Sequence, residues 1–186
     1  NAGMEPAQRI FPRTAPPGAA QCHTDSPLGR LTLAAGAGGL RGAWFDSQRH
    51  HPGVLTLPED AAHPVLQAAR RALDAYWQAP ASAQAQQALQ ALPLDLQGTA
   101  FQRAVWAALG LIPPGQTRRY ADVALAVGRP AAVRAVGAAI GRNPVSVLVP
   151  CHRVLGADGG LTGYAGGLAR KQWLLTHEAA AASRQG

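Results

Sequence analysis

At Pro93–Gly98 the chain changes character, and that change constrains its fold more than any other feature. Before it, short apolar segments alternate with turn chemistry. After it, apolar residues recur at helical spacing. Asp25-Ser26-Pro27-Leu28-Gly29 is a turn sequence, Arg30-Leu31-Thr32-Leu33-Ala34 alternates with period two, and Gly36–Gly39 turns a hairpin into Leu40–Phe45. Strands are therefore predicted within Cys22–Asp46. Val65, Leu66, Ala69, Leu73, Tyr76 and Trp77 fall on one face of a helix. Ala79–Ala91, rich in Ala and Gln, reads equally as helix or linker. The expected organisation is an irregular segment over 1–21, an α+β domain with its linker over 22–97, and a mostly helical domain over 98–186.

Charge follows the same division. The chain has 186 residues and a net charge of +7. Residues 1–97 hold seven Arg against seven Asp and Glu, whereas 98–186 hold nine Arg and Lys171 against Asp122, Asp158 and Glu178. The whole excess sits in the second half, the footprint of a polyanion-binding domain. Arg rather than Lys suits bidentate phosphate contacts. No apolar run approaches the roughly 20 residues that span a bilayer, and no leader-like order opens the chain. Cys22 and Cys151, far apart in sequence, make no disulfide framework, which fits a reducing cytoplasm. Cys22, His23, His50, His51 and His63 show no recognised metal-ligand spacing, so no metal is expected.

Within the second half, Thr99 is placed to cap a helix carrying Phe101, Val105, Trp106 and Leu109, which Pro113-Pro114-Gly115 ends. Tyr120–Val127 is a short helix, Gly128-Arg129-Pro130 a turn and Ala131–Ile140 a second helix. That is a helix-turn-helix pattern, although αα-hairpins also occur without DNA. The second helix is nearly bare: Ala131, Ala132, Ala135, Gly137, Ala138 and Ala139 leave Arg134 as its one long polar residue. It cannot read base edges in a major groove, which takes several long polar side chains. It suits either close approach to a minor groove or tight packing inside the domain.

Val149-Pro150-Cys151-His152-Arg153-Val154 places a thiol beside an imidazole and a guanidinium. Such neighbours lower a thiol's pKa from about 8.5 and make it a nucleophile. The alternative is a structural cysteine following a buried strand formed by Val145, Val147, Leu148 and Val149.

Over residues 98–178 the chain resembles the O6-alkylguanine-DNA alkyltransferases. The resemblance is carried in order by Tyr120, Arg134-Ala135-Val136-Gly137, Asn143-Pro144, Pro150-Cys151-His152-Arg153-Val154, Gly163-Tyr164-Ala165-Gly166-Gly167 and Lys171-Gln172-Trp173-Leu174-Leu175-Thr176-His177-Glu178. It implies a sheet-containing N-terminal domain and a helical, winged-helix-like active-site domain. It also implies direct repair of double-stranded DNA by irreversible transfer of an alkyl group from guanine O6 to Cys151, with thymine O4 left open as a second target. By the same resemblance His152, a bridging water and Glu178 relay the thiol proton, Asn143 supports the loop, and Tyr120 donates to the leaving base. Arg134 fills the stack after the base is flipped out. Ala132, Val133, Gly137, Arg119 and Arg142 join it in DNA contact. Tyr120, Ile140, Val154, Tyr164, Ala165 and Gly166 line the substrate pocket. No cofactor is implied, and the protein is expected to act as a monomer.

Four departures qualify the resemblance. Arg119 stands where a small polar residue is common, and Val133 where Ala is frequent. Ala165 replaces the Ser of mammalian members, marking a bacterial type. Positions matching the mammalian zinc ligands carry non-ligating residues here. Three other readings compete: a lesion binder without chemistry, a transcription regulator and a Cys-His-Glu hydrolase. The acceptor Cys151, the bare helix and Arg134 respectively speak against them.

Overall fold

The computed structural model describes residues 10–12 and 14–184. The irregular segment expected over 1–21 therefore lies partly outside the described residues, and its last two positions already belong to a strand. Strands β1 (Ala20–Thr24), β2 (Leu31–Gly36) and β3 (Gly39–Phe45) form an antiparallel sheet in the order β1-β2-β3. Ala20 pairs with Ala35, and Gly36 with Gly39 across the hairpin. The period-two pattern of β2 holds as an alternation of faces, yet all six of its residues are buried. Leu31, Leu33 and Ala35 face the main core, while Ala34 joins a second apolar cluster with Ile10, Ala19, Trp44 and Leu57. Ile10 and Ala19 fold back over the face that alternation would leave to solvent. Gly42 is required there, since a Cβ on it would sit 1.8 Å from the Trp44 ring.

Helix α1 (Pro64–Gln78) starts with Pro at its first turn and the side chain of His63 as its cap. It buries Leu66, Ala69, Leu73 and Tyr76, following the predicted face. The Ala/Gln segment resolves as helix α2 (Ala83–Gln90), capped by Ser82, rather than as a free linker. Nor is Pro93–Gly98 a loose boundary. Leu40 donates to Pro93 O at 2.8 Å and accepts from Asp95 N at 2.9 Å, so the segment covers one end of the β3 edge.

The second half contains α3 (Ala100–Gly110), α4 (Tyr120–Ala126), α5 (Val133–Gly141) and α6 (Leu168–Ser183). A full capping box opens α3: Thr99 Oγ1 accepts from Gln102 N, and Gln102 Oε1 from Thr99 N. Two-residue strands β4 (Arg118–Arg119) and β5 (Val154–Leu155) pair in parallel. Trp106, buried on α3, donates from its indole to Ala139 O of α5 at 2.8 Å. One apolar network runs through both halves, from Leu33 and Phe45 through Leu66 and Leu73 to Leu109, Val136, Val154 and Leu174. Among the described residues no helix is long and apolar enough to cross a membrane.

Candidate active site

Residues 143–150 hold the cysteine, and they are not a strand. They form a buried chain of turns, with a single bridge from Val145 to Ala43 of β3. Asn143 explains the difference. Its Oδ1 accepts from Val145 N at 3.0 Å, while its Nδ2 donates to Val145 O and to Val149 O at 2.9 Å. One side chain thus replaces the ladder that a strand would supply. Val147 sits at φ +70°, a costly conformation for a β-branched residue and one tolerated only where the surroundings enforce it. That enforcement comes from β3. Ala43 N donates to Pro144 O, Ser146 N donates to Ala43 O, and Gln48 Oε1 accepts from both Ser146 Oγ and Phe45 N.

Cys151, His152 and Arg153 follow in one 3₁₀ turn and are all buried. His152 Nε2 lies 2.7 Å from Glu178 Oε1, and both side chains are shut off from solvent. Arg153 clamps the same carboxylate, Nε to Oε2 at 2.9 Å and Nη2 to Oε1 at 2.8 Å, and donates from Nη1 to Ile112 O. Tyr76, from α1, adds a hydroxyl donor to Oε1 at 2.7 Å. Burial alone would raise the Glu178 carboxyl, but the hydrogen bonds from His152 and Arg153 and the Arg153 charge hold it far below the usual carboxylate range. Because the ionised carboxylate only accepts, the proton of a neutral imidazole sits on Nε2 and Nδ1 carries a lone pair. Burial also keeps His152 below its ordinary value, against the pull of Glu178, so the ring is neutral at rest.

The thiol behaves differently from the sequence expectation. Burial pushes Cys151 above its ordinary range, and hydrogen bonding from Asn143 and the charge of Lys171 only partly offset this. Arg153 contributes little to lowering it because its guanidinium is committed to Glu178. Lys171 is itself buried, with Nζ donating to Val154 O at 2.6 Å and Thr162 O at 2.8 Å. The two buried side-chain polar atoms without a hydrogen-bond partner among the described residues are His152 Nδ1 and the Tyr164 hydroxyl. Their rings lie 6.4 Å apart, edge to face. An unpaired buried polar group costs about 1–3 kcal/mol, and two of them together beside a thiol mark a place built to receive something.

The remaining predicted residues fall on two sides of this centre. Tyr120 begins α4, half-buried, and the β4–β5 pairing holds it beside the segment that follows the cysteine. Gly137 of α5 faces the Tyr120 ring, where a Cβ would make ordinary contact at 3.8 Å. Ala132 is the N-cap of α5, which begins two residues later than predicted because Ala132 N is still bonded to Arg129 O in the preceding turn. Arg119, Val133, Arg134, Ala135 and Ala138 are exposed, whereas Val136, Ala139 and Ile140 point inward. The small-residue face with its single Arg thus looks outward. Arg142, half-buried, is the C-cap of α5. Burial, with the positive charges of Arg142 and Arg49, holds His50 below its usual range. Tyr164 and Ala165 are half-buried and Gly166 buried, and Arg49 N donates to Ala165 O at 2.8 Å. Ile140 and Val154 belong to the apolar core.

Among the described residues no three His, Cys, Asp or Glu side chains converge as metal ligands. His23 meets Thr32 and Glu59, His51 accepts from Gly53 N, and His63 caps α1. Cys22 and Cys151 are both free and buried. Sequence reasoning gave Tyr76 only a place on an apolar helix face and Arg153 only a charge beside the thiol, and it assigned no role to Lys171. Arg153 and Lys171 stood inside recognised motifs, and their burial is the signal that was missed.

Residues 100–180 match a family model described as the DNA-binding domain of 6-O-methylguanine DNA methyltransferase. A methylated-DNA–protein-cysteine methyltransferase of Salmonella typhimurium is 63% identical over 81 residues, 44% of this chain and 47% of that protein, so the match spans about half of its length. Its counterpart in Mycobacterium leprae is 46% identical over 155 residues, 83% of this chain and 88% of that protein. The crystal structure of Mycobacterium tuberculosis O6-methylguanine methyltransferase superposes with a TM-score of 0.72 at 40% identity, covering 87% of this chain and 93% of that one. A second, of Mycobacterium tuberculosis OGT in complex with DNA, gives 0.70 at 40% identity over 88% and 93%.

Proposed function

This chain belongs to the methylated-DNA–protein-cysteine methyltransferases, and from that premise we propose that Cys151 takes alkyl groups from O6 of guanine in double-stranded DNA. The observation that carries the assignment is the thiol next to a neutral His152 whose Nε2 is bound to ionised Glu178 and whose Nδ1 has no partner among the described residues. That nitrogen accepts the thiol proton, through a bridging water, as the lesion enters. Glu178 then stabilises the imidazolium, the division of labour found in nucleophile–base–acid triads. A bond forms between Sγ and the alkyl carbon while the carbon–O6 bond breaks. The electron pair leaves on guanine, which takes up one proton, matching the one His152 took from the thiol, and returns to the duplex as neutral guanine still on its deoxyribose. Tyr120 donates to the ring as charge develops, and backbone amides around Ala165 receive O6. The product is a thioether with no easy hydrolysis, so each molecule acts once.

The resting thiol is neutral, and this suits a single-use nucleophile. A buried, protonated cysteine resists oxidation and stray electrophiles. It becomes thiolate only when substrate completes the relay. Access to the base requires flipping it from the duplex, at a cost of a few kcal/mol. The outward face of α5 enters the minor groove, Arg134 occupies the gap, and Arg119 and Arg142 hold phosphates. The protein acts as a cytoplasmic monomer without a cofactor.

The test is incubation with a duplex containing one O6-methylguanine, followed by intact-protein mass measurement. Gain of one methyl group per molecule, located on Cys151, is the expected result. Catalytic turnover, or no gain at all, overturns the reading.

A further inference from the structure

We propose that Tyr76, contributed by α1 of the N-terminal half, is a positioning residue of the alkyl-transfer site, tuning through Glu178 how readily His152 takes the thiol proton. The inference rests on the alkyl-transfer reading above. Glu178 Oε1 is crowded with donors: His152 Nε2 at 2.7 Å, Arg153 Nη2 at 2.8 Å and the Tyr76 hydroxyl at 2.7 Å. Among the described residues Oε2 has only Arg153 Nε. The oxygen that holds the imidazole is therefore the one that Tyr76 also engages, from a position 102 residues away in sequence.

Tyr76 cannot swing aside. Its ring is buried and packs edge-on against Trp77 at 5.1 Å and His177 at 5.7 Å, while its own carbonyl accepts from His177 Nε2. Burial and the adjacent Glu178 charge keep the phenol protonated far above its ordinary range, so it is a permanent donor.

A permanent donor on Oε1 has a definite electrostatic effect. It disperses charge from the oxygen facing Nε2 and weakens the carboxylate's preference for imidazolium over imidazole. His152 then stays neutral until a proton is offered by Cys151. Other charges around the ring act in known directions: Arg153 in the same turn and Lys171 on α6 disfavour the cation, and Glu178 on α6 favours it. Cys151 precedes the ring in the chain, and Tyr164 meets its edge without a hydrogen bond to Nδ1. Tyr76 acts on it only through Glu178.

Tyr76→Phe removes the hydroxyl and keeps the ring. Two quantities are measured as functions of pH: the His152 imidazole signal by NMR without DNA, and the single-turnover rate of methyl transfer from an O6-methylguanine duplex. Both the His152 midpoint and the acid limb of the rate profile should move up, by about half to one pH unit. The rate should fall several-fold below neutrality and hardly change in alkali. An unmoved or lowered midpoint overturns the proposal, whatever happens to thermal stability. So does a profile that shifts only in Tyr76→Leu, which removes the packing ring as well. The wild-type arm stands apart from both: failure to gain a methyl group there rejects the alkyl-transfer reading, and the NMR titration still reports on Tyr76.

Discussion

Cys151 is 5% exposed and held above its ordinary pKa by burial, so at the level of the single residue its reactivity and its resting state are opposed. Cys151→Ala should abolish methyl gain by mass measurement, while affinity for the damaged duplex stays within several-fold of wild type, because the thiol does chemistry and little binding. The same change at Cys22, buried within β1, should leave transfer intact. Glu178 gives a second expectation, through linkage. Its folded-state carboxyl lies far below the unfolded value of about 4.3, so its stabilising contribution is complete above that pH and is lost as pH falls toward the folded value. Urea unfolding should find Glu178→Gln destabilised by about 3–5 kcal/mol at neutrality, since Arg153 loses its buried counter-charge, with the gap narrowing below pH ~4. Cys151, His152 and Glu178 were legible in the sequence because their motif is ordered and compact. Tyr76 was not, for a contact spanning 102 residues leaves no periodic or spacing signature. The raised thiol was hidden for a related reason: adjacency in sequence shows which charges are near, but not that Arg153 is already spoken for.

Among the elements, α5 carries the sharpest expectation. Its outward face is Val133, Arg134, Ala135 and Ala138, leaving one long side chain to enter a base stack. Arg134→Ala should slow repair of duplex DNA far more than reaction with free O6-benzylguanine, which needs no flipping. Equal losses in parallel single-turnover assays would make Arg134 a structural residue. For the sheet, Gly42→Ala forces a Cβ against the Trp44 ring and should lower unfolding free energy by about 1–3 kcal/mol or more in a denaturant titration. Helices were read well from the sequence where a cap and an apolar face coincided, as at Thr99 and along α1. The segment 143–150 stayed open between strand and loop because its valines satisfy a strand pattern, while Asn143, one polar residue, bends the backbone into turns. Burial of both faces of β2 was invisible for another reason: the cover over Ala34 comes partly from Ile10, distant in sequence and outside any element.

Taken whole, the molecule separates a neutral N-terminal half from a C-terminal half holding all the excess positive charge. Duplex binding should therefore weaken steeply and log-linearly with salt, with little dependence on sequence, whereas reaction with the free base should barely respond. Parallel salt titrations of both substrates check this, and a strong preference for one undamaged sequence would instead indicate a regulator. The neutral half is joined to the charged one through β3. On one edge β3 pairs with β2, and on the other it holds Pro93–Asp95 at Leu40 and the cysteine loop at Ala43. Amide protons make the consequence measurable. The N–H groups of Ala43 and Ser146, which bridge sheet and loop, cannot meet solvent by fraying of the loop alone. They should exchange with deuterium only through global opening, at the slow limit shared with the centre of β2. The nucleophile's loop would then have no local melting event of its own, and its lifetime in the closed form would be that of the entire fold.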